Sequence, residues 1–122
     1  MAHFIYEYSA NLPAEQLNLS ALMEKMHTAA SASGIFPLAG IRSRAIRCEE
    51  FRGGEGNADY GFVNLSMKVG RGRDLDTRMA IGQTLFDILL EHLQPVMATR
   101  GVAVSFEMRE LEEQVKFNHR NF

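Results

Sequence analysis

The chain has 122 residues, 46% of them hydrophobic and 23% charged, a balance that suits one globular core and leaves no room for a second. A formal net charge of −2 supplies no field for nucleic acid or anionic lipid, so neither is an expected partner; a small molecule or another copy of the chain is. The single cysteine, Cys48, excludes an internal disulfide, and no secretory pattern or apolar run of about 18 residues occurs, so a cytoplasmic protein with no membrane partner is expected.

From His3 to Tyr8, Phe4, Tyr6 and Tyr8 alternate with Ile5 and Glu7, the period of a β-strand. A turn around Asn11-Leu12-Pro13 follows. Leu19, Leu22, Met23, Met26 and Ala30 then recur at helical spacing, with Asn18 as N-cap and Gly34 as the stop. Ile41 to Cys48 alternates branched and charged residues and reads as a second strand, which completes a parallel β-α-β unit. Gly53, Gly54, Gly56 and Asn57 mark a polar seam between Glu50 and Asp59.

Beyond the seam the pattern repeats. Val63, Leu65, Met67 and Val69 form one face of a third strand, which ends at Gly70-Arg71-Gly72-Arg73. Asp74 is the expected N-cap of a long helix whose buried stripe is Met79, Gly82, Leu85, Phe86, Leu89 and Leu93, and Pro95 should kink or end it. Val102, Val104, Phe106 and Met108 alternate along a fourth strand before a polar tail, 112–122. The fold class expected is α+β, a single domain of two fused β-α-β units (β-α-β-β-α-β) from a duplication with halves of about 1–50 and 58–111, both helices covering one face of a four-stranded sheet. The open face would hold Ile5, Ile46, Phe62 and Val104 or its neighbours, apolar enough to call for self-association.

Three stretches carry a resemblance: His3-Phe4-Ile5-Tyr6-Glu7-Tyr8-Ser9, Gly34-Ile35-Phe36-Pro37-Leu38-Ala39-Gly40-Ile41-Arg42-Ser43-Arg44, and Gly70-Arg71-Gly72-Arg73-Asp74-Leu75. Together they resemble the 5-carboxymethyl-2-hydroxymuconate Δ-isomerase family of the tautomerase superfamily, over nearly the whole chain. The middle block is the specific one; Gly-x-Gly-Arg alone says little. The resemblance implies a homotrimer that isomerises a muconate-type di- or tricarboxylate of aromatic catabolism without metal or cofactor. It also implies a base, the amine of an N-terminal proline uncovered by loss of the initiator methionine. Here Ala2 stands at that position.

Shifting a double bond in such an acid requires one base to take a proton and return it elsewhere on the conjugated chain, and this works best with a pKa near the operating pH. A terminal amine, ordinarily near pKa 7.7–8.0, meets that need when burial or nearby cations lower it. Ala2 supplies a primary amine only if Met1 is removed; otherwise its nitrogen is an amide. Arg42 and Arg73 match the family's substrate-binding positions and suit a carboxylate through paired charge-assisted hydrogen bonds, with Arg44 on the same strand face as Arg42. Solvated charge or intersubunit pairing is the competing reading for each arginine, and Arg71 reads as surface. His3 either tunes the amine or packs at an interface. His27, His92, His119 and Cys48 show no ligand spacing, so no metal site is expected, and Gly70-x-Gly72 lacks the rest of a phosphate loop. The rival function is a non-catalytic trimeric scaffold that keeps an anionic-ligand pocket.

Overall fold

The computed structural model describes residues Met1–Phe122. Its elements run β1 (Ala2–Ser9), α1 (Ala14–Leu17), α2 (Leu19–Ala32), a 3₁₀ turn (Leu38–Gly40), β2 (Ile41–Cys48), β3 (Tyr60–Val69), α3 (Leu75–His92), α4 (Gln94–Met97) and β4 (Gly101–Glu110). The strand order is β2-β1-β3-β4. β1 pairs parallel with β2, β3 parallel with β4, and the two units join through the antiparallel pair β1·β3. This is the expected α+β arrangement.

Register decides which side chains meet the helices. Ala2 lies opposite both Ile41 and Val69, so Phe4, Tyr6, Val63, Leu65, Met67 and Val69 share one face, and all six are fully buried. Leu22, Met26 and Ala30 of α2 and Ile81, Leu85 and Leu89 of α3 close over them. At about 1.5–3 kcal/mol for each large apolar side chain removed from water, this layer is the main source of stability.

The helix starts follow the sequence. Asn18 adopts φ 40°, ψ 60°, and its side chain accepts a hydrogen bond from the Ala21 amide at 3.4 Å. Asp74 caps α3 by accepting from the Thr77 amide at 2.8 Å, a bond that holds its carboxyl below the usual range. α3 ends at His92, and Pro95 falls in the first turn of α4, where a missing N–H is no loss.

Two expectations need correction. Met79 belongs to the predicted stripe but is 65% exposed, and Ile81 is buried in its stead. The cause is position: this flank of α3 overhangs β4, the edge strand, with no further strand beneath it. Nor is the open sheet face apolar. Val104 pairs with Val63 and so faces the helices, while Ala103 and Ser105 face out. Ile5, Ile46 and Phe62 stand there among His3, Glu7, Arg42, Arg44, Asn64, Ser66, Lys68, Glu107 and Arg109. The argument for self-association from an apolar face therefore lapses.

The left-handed conformation at Asn18 gives a stability test. Asn18→Ala should lower the unfolding free energy by about 1–2 kcal/mol, whereas Asn18→Gly, which loses the cap but fits the backbone, should cost only a few tenths. Urea titration of both variants measures this, and an alanine no worse than the glycine contradicts the cap geometry.

Candidate active site

The site forms where four chain segments meet at one end of the sheet. β1 sits centrally, so its first residue emerges between β2 and β3. The Met1 carbonyl accepts a hydrogen bond from the Gly70 amide at 3.2 Å, fixing the terminus beside the loop that follows β3. Across from it the 3₁₀ turn brings up Gly40, where a Cβ would lie 3.7 Å from Met1 Cα and 3.9 Å from Arg120 Nη1. A Cβ there would touch both groups at ordinary contact distance. The result is a recess of about 190 Å³ lined by Met1, Pro37, Gly40, Arg42, Asn118, His119 and Arg120.

Each expected site residue has a definite place. Arg42, the second residue of β2, lines the recess, and its Nη1 is buried without a hydrogen-bond partner. An orphaned guanidinium nitrogen is unusual, because a buried donor left unpaired carries its full desolvation penalty. Arg73 does not line the recess. Its Nη1 donates to the Gly70 carbonyl at 2.9 Å and its Nη2 to the Ile35 carbonyl at 2.8 Å, and the guanidinium lies 4.6 Å from the centroid of the Phe36 ring. Gly72, at φ 119°, makes the bend that sets it there. Arg73 thus braces two loops and acts on the terminus through its charge. Ala2 is fully buried behind Met1.

His3 stands on the open face, next to Arg42 on one side and Lys68 on the other, with Arg109 beyond Lys68. Arg44 Nη1 donates to its Nδ1 at 3.3 Å, which leaves the ring proton on Nε2, 3.1 Å from Met1 Sδ. Burial first, then Arg44, Arg42, Lys68 and the terminal amine, lower its pKa. Arg71 is more than surface charge: its Nε donates to the Leu111 carbonyl at 3.1 Å, where the tail leaves β4.

The surroundings of the Met1 amine disfavour its charged form. Partial burial lowers its pKa most, followed by the charges of Arg73, Lys116, Arg120 and Arg42. All five influences disfavour the ammonium form. Two of these cations, Lys116 and Arg120, belong to the tail, which the sequence pattern had set apart from the site. The density of basic residues in Lys116-Phe117-Asn118-His119-Arg120 was the available signal.

Other groups do different work. His27 Nε2 lies 2.7 Å from Ser43 Oγ beneath the sheet, and His92 Nε2 donates to the Leu17 carbonyl at 2.7 Å. No three His, Cys, Asp or Glu side chains converge in a way that would hold a metal. No helix is long and apolar enough to cross a membrane. A groove of about 400 Å³ between α3 and β4 is larger than the recess but lies among Leu75, Met79, Phe86 and Phe106, away from the amine.

Fused β-α-β units with a terminal amine and arginines at one end of the sheet define a tautomerase-like protein. The chain belongs to the 5-carboxymethyl-2-hydroxymuconate isomerase family, whose model matches residues 2–122. It is 39% identical over 121 residues to the 5-carboxymethyl-2-hydroxymuconate Δ-isomerase of Escherichia coli, covering 99% of this chain and 95% of that protein. A crystal structure of a 5-carboxymethyl-2-hydroxymuconate isomerase from Deinococcus radiodurans R1 superposes with a TM-score of 0.92 at 31% identity, over 98% of this chain and 90% of that one. The macrophage migration inhibitory factor-like protein of Entamoeba histolytica shares the fold at 13% identity and a TM-score of 0.65, over 99% and 98% of the two chains.

The charge of Arg73 can be tested at the amine itself. Arg73→Gln removes a cation that disfavours the ammonium, so the terminal amine should titrate at higher pH, nearer its ordinary value of about 8. The pH dependence of amine acylation reads the shift; an unmoved or lower midpoint contradicts the assigned electrostatics.

Proposed function

We propose that the chain is a cofactor-independent isomerase that moves a proton and a double bond within an unsaturated di- or tricarboxylate of the 5-carboxymethyl-2-hydroxymuconate type. The observation that carries this reading is the terminal amine, its pKa lowered, set in a recess where Arg42 keeps an unpaired nitrogen. Family membership supplies the reaction class.

The working base would be Ala2. Removal of Met1, which a small second residue permits, turns the Ala2 nitrogen into a primary amine and vacates the space Met1 fills. Loss of the Met1 carbonyl also frees the Gly70 amide, which faced it. In the resulting site the neutral amine takes the 2-hydroxyl proton. The oxygen lone pair becomes a carbonyl as the double bond moves along the chain, and the ammonium returns its proton to the carbon that has gained electrons. Arg42 binds a carboxylate, the charge of Arg73 keeps the amine neutral, and the Gly70 N–H stabilises the oxyanion that develops in between.

Assembly as a homotrimer in the cytoplasm is part of the same proposal. Its support here is the pair of unpaired edges, β2 and β4, which a monomer would leave open to another copy. Halves of about 1–50 and 58–111 with similar strand–helix–strand order fit descent by duplication, the segment 112–122 being an addition.

Intact-mass measurement followed by a ketonisation assay on 2-hydroxymuconate tests the reading. Loss of Met1 with turnover is expected, and Ala2→Pro should raise the rate by restoring the family's secondary amine. A retained Met1 with no turnover would reduce the protein to an anion-binding scaffold. Arg42→Ala should weaken binding of the acid by about 1.5–3 kcal/mol, the worth of a charged hydrogen bond.

A further inference from the structure

The tail after β4 takes an unexpected course. Leu111 is tied at both ends of its peptide: its amide donates to the Val69 carbonyl at 2.7 Å, and its carbonyl accepts from Arg71. The Glu112 carboxylate then accepts from the amides of Gln114 and Val115, closing a turn. Past that turn the chain travels back to the N-terminus, where Asn118, His119 and Arg120 form one wall of the recess.

Burial does not hold the tail there. Val115, Phe117 and Phe122 are 71%, 92% and 78% exposed, so the apolar side chains point into water while polar ones face the amine. The charges of Lys116 and Arg120 disfavour the ammonium form of the terminus, and none of Arg42, Lys116 or Arg120 forms an ion pair with an acidic side chain. No carboxylate lines the recess. Repulsive charges gathered by a segment with little apolar contact call for an anion between them.

Arg42 and Arg120 both line the recess, and Arg120 Nη1 lies within 4 Å of the point a Cβ on Gly40 would take. A single carboxylate uses one guanidinium fork; two forks suit an acid charged at both ends. We propose that Arg120 forms a second carboxylate subsite, so that the C-terminal tail makes this isomerase selective for dicarboxylates over monocarboxylates. This deepens the function proposed above and rests on it for the identity of the recess as the substrate site.

The test compares the wild type with Arg120→Ala and Arg120→Lys, using 2-hydroxymuconate as diacid and an arylenolpyruvate as monoacid. In Arg120→Ala the diacid-to-monoacid ratio of kcat/KM should fall tenfold or more, mainly through KM for the diacid, and Arg120→Lys should recover part of it. Equal loss on both acids, or an unchanged ratio, overturns the proposal. Calorimetric binding of cis,cis-muconate, a dicarboxylate with no hydroxyl to ketonise, separates the subsite from the reaction. If the wild type turns over neither acid yet binds muconate at least tenfold tighter than Arg120→Ala, the isomerase reading fails and the subsite stands. If the wild type binds no muconate, or both proteins bind it equally, the subsite fails.

Discussion

The central position of β1 governs everything at the site. Because β1 pairs along its length with β2 on one side and β3 on the other, its first residue cannot fray as a chain terminus ordinarily does. The terminal amine becomes a fixed group at the end of a sheet. The three segments nearest to it are set by the same pairing: the start of β2 brings Arg42, the end of β3 brings Gly70 to Arg73, and the end of β4 launches the tail. A functional group borne by a backbone atom needs this constraint, since no rotamer choice could place it.

The second consequence is electrostatic. Arg42, His3, Lys68 and Arg109 occupy neighbouring strands at one level of the open face, and like charges placed opposite one another weaken a sheet. Arg109 is partly answered by Glu107 at 3.2 Å, but Arg42 is answered by nothing. The fold tolerates this because burial of the other face, with Phe4, Tyr6, Leu65 and Met67, outweighs a repulsion that water screens in part. Excess positive potential at an amine disfavours its ammonium form.

Strands and helices were legible because their periodicities are local. Ile41 to Cys48 is a strand in the structure with the bounds its alternation gave, and Asn18 and Asp74 cap helices as their side chains allow. α1 escaped notice, since four residues are too few to show a period. Met79 was misplaced, and Val104 could not be told from its neighbours on the open face, for a shared reason. Both sit at β4 or above it, and a sequence does not show which strand is the edge or which way a strand turns its two faces. Arg42 was legible through the block around it, whereas the bond from Arg73 to Ile35 and the return of the tail depend on contacts between residues 38 apart and more in sequence. No spacing rule reaches that far.

The substitution of alanine for the family's proline is best understood through what surrounds it. Proline contributes a secondary amine with a fixed ring; alanine contributes a primary amine free to rotate about its own Cα–N bond. The position of the nitrogen is fixed here by other means, because the Ala2 side chain is fully buried and its strand is paired on both sides. Burial and the arginine charges lower the pKa of the amine that stands at this sheet end. A primary amine also has two N–H bonds, so it can hold one on a substrate oxygen while exchanging a proton through its lone pair. The proposed reaction therefore depends less on the ring than on the scaffold that fixes an amine among cations.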